Sequence, residues 1–183
     1  MVKIGVISDT HIKSNRDSLP GEIFNVFKDV DVIFHAGDIC TREVIEELKA
    51  LAPVIAVSGN MDSPNLAKPY QRKGINNKSF LIVHGHNTRK RTVASMKEYV
   101  DHNPDLDGIV FGHSHQPYNN MYKDVLLFNP GSPTSYKRPY IKKKEPSVGF
   151  LTIKEDQIEG EIVYLGTGRL WLDSIWKLGY ETE

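Results

Sequence analysis

The amino-acid sequence predicts a single domain of the α/β class. Short, almost continuous apolar runs rich in Val, Ile, Leu and Phe are typical of strands covered on both faces. Segments with the apolar spacing of amphipathic helices lie between several of these runs, so strands and helices alternate along the chain. With 183 residues, of which 39% are hydrophobic and 25% charged, the chain is long enough to bury one core without disulfides.

The elements follow from these patterns in chain order. Six apolar runs are predicted strands: residues 2–8, 30–36, 54–58, 80–83, 108–111 and 125–128. Three segments have helical spacing: residues 21–27, 41–48 and 93–100. In the second of them Thr41 is a candidate N-cap, and Val44, Leu48 and Leu51 lie on one face.

The last part of the chain has a different pattern. Residues 147–153 and 158–165 alternate in polarity around a polar turn, which predicts an antiparallel hairpin at the end of a domain spanning residues 1–165. In the tail, residues 166–183, Trp171 and Ile175 have helical spacing. We expect a short amphipathic helix there, packed either on the domain or on the partner in a homodimer.

Composition excludes several classes of protein. Lys plus Arg and Asp plus Glu both number 23, so the net charge is zero and stable nucleic-acid binding is not expected. The single cysteine, Cys40, permits no intrachain disulfide and fits a reducing cytoplasm. The sequence contains no apolar stretch of the length that spans a membrane, and its start does not resemble a signal peptide.

Polar side chains capable of binding metals follow five of the apolar runs. The blocks are Asp9-Thr10-His11, His35-Ala36-Gly37-Asp38, Gly59-Asn60-Met61-Asp62, His84-Gly85-His86 and Gly112-His113-Ser114-His115. Each block alone is a weak signal, because such residues are common in turns. In α/β folds, however, sites assemble at the carboxyl ends of strands, so the five blocks are expected to converge.

The donor types in these blocks predict a metal centre. The candidate donors are two carboxylates (Asp9 and Asp38), the amide oxygen of Asn60 and up to five of the six imidazoles, without a thiolate. This set suits divalent Mn, Fe, Co, Ni or Zn. So many donors exceed the needs of one ion and suit two ions, which activate a bridging water and clamp a phosphoryl group. The chemistry alone does not choose among the histidines. The glycines allow the backbone to approach the site closely.

The blocks resemble the signature of the calcineurin-like metallophosphoesterase superfamily, and four of the five match it. The short length, the block at residues 84–86 and the Asn129-Pro130-Gly131-Ser132 segment are similar to its small single-domain prokaryotic branch, the YfcE-type phosphodiesterases. The resemblance covers residues 1–165. It implies a four-layer αββα sandwich, in which two mixed β-sheets are flanked by helices.

The resemblance also implies the site residues. One ion would be held by Asp9, His11, Asp38 and His115, and the other by Asp38, Asn60, His84 and His113, with Asp38 bridging. From their positions in or beside the blocks, Asp38, Asn60 and His86 are candidate catalytic residues, and Asn60, His86 and Arg89 are candidate substrate-binding residues. The implied cofactors are two divalent ions, manganese first and nickel, iron, cobalt or zinc as alternatives.

Met61 departs from the family pattern, which has a histidine at this position. That histidine is thought to protonate the leaving group, and methionine cannot carry a proton. General acid catalysis is worth roughly 10²–10⁴-fold in rate, so its loss matters most for poor leaving groups. The sequence therefore favours diesters or aryl esters over alkyl monoesters. His86 is either a substitute acid or a partner that supports the metal ligands.

The implied function is hydrolysis of a small phosphate diester by attack of a metal-bridging hydroxide. Arg89, in the basic run Arg89-Lys90-Arg91, would add positive charge beside the phosphate. One alternative is a non-catalytic protein-binding scaffold, since a eukaryotic retromer subunit resembles this branch. The presence of all the ligand histidines argues against it. Another alternative is a phosphomonoesterase or nucleotide pyrophosphatase.

Three other residues of chemical interest have simpler expected roles. His35 ends a buried run, so it is expected to lie in the core or to support a ligand. His102 is expected at a helix end. Cys40 is expected to be a small buried residue, sensitive to oxidation at most.

Overall fold

The computed structural model describes residues 1–14, 17–87, 92–134 and 145–166. In these ranges the chain forms ten strands and three α-helices. The strands are β1 (Val2–Ile7), β2 (Val32–His35), β3 (Val54–Ala56), β4 (Tyr70–Ile75), β5 (Lys78–Val83), β6 (Gly108–Val110), β7 (Tyr118–Tyr122), β8 (Val125–Asn129), β9 (Ser147–Lys154) and β10 (Gln157–Tyr164). The helices are α1 (Glu22–Val26), α2 (Arg42–Lys49) and α3 (Thr92–His102).

The strands form two mixed five-stranded sheets. The first sheet has the order β10-β9-β1-β2-β3, with β1, β2 and β3 parallel and the β9–β10 hairpin antiparallel to β1. The second has the order β4-β5-β6-β8-β7, with β5, β6 and β8 parallel and the two edge strands antiparallel to their neighbours. The predicted α/β class and the implied pair of mixed sheets are confirmed.

Three buried apolar clusters separate the layers. Between the sheets, Ile4, Val6 and Phe34 of the first pack with residues such as Phe80 and Phe128 of the second. Alternate residues of the same strands point to the outer faces. Ile7 and Ile33 belong to the cluster under α1 and α2, whereas Leu81 and Ile109 belong to the cluster under α3. Both faces of these strands are therefore buried, which is why both carry apolar side chains.

Strands β4 and β7 were not predicted from the sequence. Their sequences, YQRKGI and YNNMY, contain few aliphatic residues, and both strands lie at the edges of the second sheet. Neither strand contains a buried residue, and alternate residues of β4 are exposed, so the apolar run that marks a central strand is missing from both sequences. Thr41 is the N-cap residue of α2 as predicted, but its side chain makes no capping hydrogen bond.

Three further features of the sequence concern a membrane span, the C-terminal helix and the basic run. No helix in the described ranges is long and apolar enough to cross a membrane. The predicted C-terminal helix and the basic run at residues 89–91 lie outside the described residues.

Candidate metal centre

The loops after β1, β2, β3, β5 and β6 meet at one edge of the two sheets. Backbone hydrogen bonds join them: the Asp9 N–H donates to Gly37 O at 2.9 Å, and the Gly112 N–H donates to His84 O at 3.2 Å. The His113 N–H donates to Asp9 Oδ2 at 3.0 Å. The structure thus brings together blocks that are more than one hundred residues apart, as the sequence predicted.

One group of potential ligands consists of Asp9, His11 and His115. Asp9 Oδ1 lies 3.2 Å from His115 Nε2 and 3.7 Å from His11 Nε2. The two Nε2 atoms are 3.2 Å apart. The three side chains therefore point their donor atoms at a common point, as ligands of one cation do.

A second group consists of Asp9, Asp38 and His84. His84 Nε2 lies 3.4 Å from Asp38 Oδ1 and 3.2 Å from Asn60 Oδ1. Asp38 Oδ2 lies 3.5 Å from His11 Nε2, which belongs to the first group. Asp38 thus places one oxygen toward each group, which is the arrangement that a bridging carboxylate requires.

His84 and Asp9 provide a test of whether this donor set fits a cation. His84 Nδ1 donates to the carbonyl oxygen of Ala36 at 2.8 Å, so the neutral imidazole has its lone pair on Nε2. That lone pair faces the side-chain oxygens of Asn60 and Asp38 at 3.2 and 3.4 Å. Asp9 Oδ1 is buried and has no hydrogen-bond partner among the described residues. Lone pairs that face each other in this way are stabilised by a shared cation, so the residues fit divalent metal ions.

The electrostatics of the centre also favour a cation. Burial would raise the pKa of Asp9, but the imidazoles of His11 and His115 beside it hold that pKa well below its usual range. The pKa of Asp38 is also lowered, because its hydrogen bond and charge interaction with His84 outweigh burial. Burial lowers the pKa of His84, but Asp38 and Asp9 outweigh it and raise that pKa. Both carboxylates are therefore ionised at neutral pH.

Several of the candidate ligands have left-handed backbone conformations. The φ angles of Asp9, His11, Asp38, His113 and His115 are 55°, 50°, 55°, 67° and 53°. Such conformations are uncommon for non-glycine residues and cluster at functional sites, where the surrounding structure maintains them. The sharp turns aim the side chains from the strand ends into the site.

Gly112 and Gly59 allow the closest approaches in the centre. A Cβ atom on Gly112 would overlap Ser8 Oγ and lie 2.7 Å from Asp9 Oδ2. A Cβ atom on Gly59 would overlap Asp38 Oδ1. The sequence-based expectation that glycines bring the backbone close to the ligands is met at both positions.

Replacing Gly112 by Ala is expected to destabilise the protein and to displace Asp9. The overlap requires the backbone to shift, which costs about 1–3 kcal/mol of unfolding free energy, as overpacking generally does. Urea unfolding measures this change. Gly74→Ala is the matched control, because no atom lies within 4 Å of its added Cβ. Equal unfolding free energies for the two variants would contradict the prediction.

The remaining predicted site residues lie on the open side of the centre. Asn60 and His113 are exposed, and the His113 ring centroid lies 5.2 Å from that of His84. His86 is half-buried, 5.4 Å from His84 between ring centroids, and its buried Nδ1 has no partner among the described residues. Burial and the nearby His84 lower the pKa of His86 and of His113. Arg89 lies outside the described residues.

The structure reveals a role for Asp62 that the sequence did not indicate. Its Oδ1 accepts the N–H of Cys40 at 2.6 Å, and its Oδ2 accepts the N–H of Gly59 at 2.7 Å. Asp62 thereby ties the loop after β2 to the loop after β3, next to Asp38 and Asn60. The spacing of the block placed Asp62 near the site, but only the folded chain shows which amides it binds.

The three residues with simpler expected roles are placed as follows. His35 is fully buried, Nε2 lies 3.2 Å from Thr10 Oγ1, and burial lowers the pKa of His35 to about 3. His102 lies in the last turn of α3, where its Nδ1 donates to the carbonyl oxygen of Glu98. Cys40 is half-buried, not buried as expected, because its Sγ lies at the edge of the site, 4.0 Å from His11 Nδ1.

Two relatives of similar sequence have names that describe phosphoesterases. A probable metallophosphoesterase of Methanothermobacter thermautotrophicus is 35% identical over 165 residues, which cover 89% of this chain and 92% of that protein. A phosphodiesterase of Methanocaldococcus jannaschii is 32% identical over 155 residues, which cover 74% of this chain and 86% of that protein.

The fold is also shared with solved structures. The crystal structure of wild-type Vps29 from Entamoeba histolytica, complexed with Zn²⁺, superimposes with a TM-score of 0.69. It is 21% identical, and the match covers 89% of this chain and 99% of that one. The sequence model of the calcineurin-like phosphoesterase superfamily domain matches residues 2–156. The chain therefore belongs to the calcineurin-like phosphoesterase superfamily.

Proposed function

We propose that this protein is a phosphodiesterase that uses two divalent metal ions. The observation that supports this most strongly is Asp38, whose two oxygens lie 3.5 Å from His11 Nε2 and 3.4 Å from His84 Nε2, one imidazole from each donor group. The relative in Methanocaldococcus jannaschii that is named a phosphodiesterase supports the diester as substrate. Met61 supports it too, because a diester with a good leaving group needs less help from a general acid.

Membership of the superfamily, together with the two donor groups, suggests how the residues divide between two ions. Asp9, His11, Asp38 and His115 would hold one ion, and Asp38, Asn60, His84 and His113 would hold the other. When bound, such a pair of ions lowers the pKa of a water molecule and neutralises the charge that develops on the phosphoryl group. The preferred ion is Mn²⁺, with Ni²⁺, Fe²⁺, Co²⁺ or Zn²⁺ as alternatives for this donor set.

The protein's own residues would position these groups and the substrate. The bond from His84 Nδ1 to the Ala36 carbonyl holds the imidazole with Nε2 toward Asp38. Asp62 holds the loop that carries Asn60. Asn60 and His113 are exposed, so the centre is open to solvent on their side. A small phosphate ester would enter from that side.

Metal depletion tests the proposal. The purified chain is stripped of metal and assayed with a chromogenic aryl phosphodiester and the matching monoester, with Mn²⁺, Ni²⁺ or Zn²⁺ restored. We expect no turnover without metal, recovery with Mn²⁺, and a larger kcat/KM for the diester. Mn²⁺ at one hundred times its Kd is also expected to add about 2.7 kcal/mol of stability, seen as a rise in Tm.

Two outcomes would favour the other candidate functions. A rise in Tm with Mn²⁺ but no hydrolysis of either ester would favour a protein-binding scaffold. The intact donor set argues against that function, and the Vps29 likeness is one of fold alone. A larger kcat/KM for the monoester would favour a phosphomonoesterase.

His86 is proposed to bind the substrate through its ring, since it is half-buried on the open side of the centre, 5.4 Å from His84 between ring centroids. Replacing it by Asn is expected to raise KM for the diester about tenfold, the value of one hydrogen bond to a charged group. Steady-state kinetics with two aryl diesters of different leaving-group pKa measure this. The ratio of their kcat values is expected to stay the same. A ratio that changes in the variant would instead make His86 the general acid.

A further inference from the structure

A segment after β8 contains buried polar side chains that the proposed ligand set does not use. Residues 129–134, named here the clasp, include Asn129, Ser132 and Thr134, which are 0%, 1% and 4% exposed. Burying polar groups in this way is unfavourable unless they form hydrogen bonds. Each of these three side chains forms at least one hydrogen bond to a loop that carries candidate metal ligands.

Two clasp side chains bind the loop after β1. Ser132 Oγ donates to the carbonyl oxygen of Asp9 at 2.8 Å, and Thr134 Oγ1 donates to the carbonyl oxygen of Thr10 at 2.9 Å. These acceptors lie in the Asp9-Thr10-His11 block. The bonded residues are 123 and 124 positions apart in the sequence, so these bonds hold distant parts of the chain together.

The third clasp side chain binds the loop after β6. Asn129 Nδ2 donates to the carbonyl oxygen of Gly112 at 2.9 Å and lies 3.2 Å from Ser114 Oγ. Asn129 Oδ1 accepts the N–H of Gly131 at 2.9 Å, which fixes the orientation of the amide. Gly112 and Ser114 are the residues on either side of His113. The clasp therefore binds ligand loops of both sheets, since β1 belongs to the first and β6 to the second.

The clasp is itself anchored in the fold. Ser147 Oγ, at the start of β9, donates to the carbonyl oxygen of Pro130 at 2.7 Å. The Ser147 N–H donates to the carbonyl oxygen of Ser132 at 3.0 Å. A segment anchored to β9 at two of its carbonyl groups can keep two loops at a constant separation.

The ligands on these loops need such support. Asp9, His11 and His115 have φ angles of 55°, 50° and 53°, which a free loop would rarely adopt. Their donor atoms must also stay within the 3.2–3.7 Å that separates Asp9 Oδ1 from the two imidazole nitrogens. Small changes in the position of a ligand weaken metal binding. The groups that hydrogen-bond to the ligands commonly set that position.

We propose that Asn129, Ser132 and Thr134 are positioning residues that hold Asp9 and His11 at the correct distance from His115, and so set the affinity for a divalent ion. This inference rests on the proposed function, because it assumes that these side chains bind metal. It assigns to the clasp a role in metal affinity beyond its contribution to stability.

Metal titration of the full chain tests the proposal. Metal-free wild type, Thr134→Val and Ser132→Ala are titrated with Mn²⁺ by calorimetry, and the Tm of each metal-free protein is measured. Thr134→Val keeps the shape of the side chain and removes its donor. We expect both variants to bind Mn²⁺ about tenfold more weakly, the usual effect of losing a partner of a metal ligand. Thr134→Ser, which keeps a hydroxyl, is expected to restore most of the affinity.

Asn119→Ala provides the matched control for lost stability. Asn119 Nδ2 donates to the carbonyl oxygen of Gly160 at 2.6 Å, away from the ligand loops. We expect this variant to have a lower Tm and the wild-type affinity for Mn²⁺. If Thr134→Val does not fold, Ser132→Ala gives the same test. Wild-type affinity in a folded clasp variant that has the lowered Tm of the control would overturn the proposal.

The same measurements separate this inference from the proposed function. A wild-type chain that binds Mn²⁺ but hydrolyses no phosphate ester would contradict the function, while the affinities of the variants would still decide the role of the clasp. A wild-type chain that binds no Mn²⁺ would overturn both.

Discussion

Replacing Asp38 by Asn is expected to abolish phosphodiester hydrolysis. Asp38 Oδ2 lies 3.5 Å from His11 Nε2 and Oδ1 lies 3.4 Å from His84 Nε2, so this side chain is shared by the two donor groups. An amide has one oxygen and no negative charge, and it cannot serve two cations. Losing about 4 kcal/mol of charge stabilisation by the metal centre lowers kcat by ~10³-fold. Steady-state kinetics and Mn²⁺ titration measure the loss.

The Asp38→Asn variant distinguishes a loss of catalytic activity from a loss of folded protein. The amide oxygen can still accept the N–H of Met61, which donates to Asp38 Oδ1 at 2.8 Å in the wild type. Circular dichroism is therefore expected to match that of the wild type. Asp31→Asn is the control, because it removes a carboxylate that accepts the N–H of Lys3 at an exposed position. If kcat of Asp38→Asn stays within about tenfold of the wild-type value, Asp38 is not a bridging ligand.

Replacing Met61 by His is expected to raise the hydrolysis of alkyl phosphomonoesters by ~10²-fold, at the lower end of the range for general acid catalysis. Met61 is 44% exposed, and its N–H donates to Asp38, so position 61 adjoins the proposed metal centre on its open side. An imidazole there can give a proton to an alkoxide leaving group, which a thioether cannot. The gain in rate is expected at the lower end of that range because both oxygens of the adjacent Asp62 already accept backbone N–H groups, so this carboxylate is not free to orient the new imidazole.

The comparison of substrates tests this explanation of Met61. An aryl diester has a better leaving group, so its kcat/KM is expected to change little in Met61→His. Met61→Gln is the control, since it adds a polar group that carries no proton at neutral pH. An equal gain for both esters, or an equal gain in Met61→Gln, would show that proton transfer is not what position 61 lacks.

The central strands were predictable because their pattern is local. Residues 2–8 and 30–36 are apolar on both faces, and the structure places β1 and β2 inside them, parallel, with Ile7 opposite His35. Edge strands β4 and β7 were missed, because half of each strand faces solvent and the sequence there lacks the apolar run. The order of strands in the sheets follows from packing between distant segments, which no local pattern contains.

The types of donor atom that meet at the candidate metal centre were also predicted from the sequence alone. Carboxylates and imidazoles beside glycines follow successive strands, and the carboxyl ends of parallel strands share an edge, so Asp9, Asp38 and His84 were expected to meet. Which nitrogen of His84 faces the site depends on the carbonyl oxygen of Ala36, a contact that only the folded chain provides.

The sequence by itself thus determined the fold class, the family and the types of atom at the centre, because strand patterns and donor residues can be recognised locally. Tertiary structure alone decided how those atoms are held. The bonds from Ser132 to Asp9 and from Asp62 to Cys40 join residues 123 and 22 positions apart. The first contact forms only when the two sheets pack together, and the second only when β2 and β3 pair within one sheet. Serine or aspartate in a loop gives no sign of its distant partner.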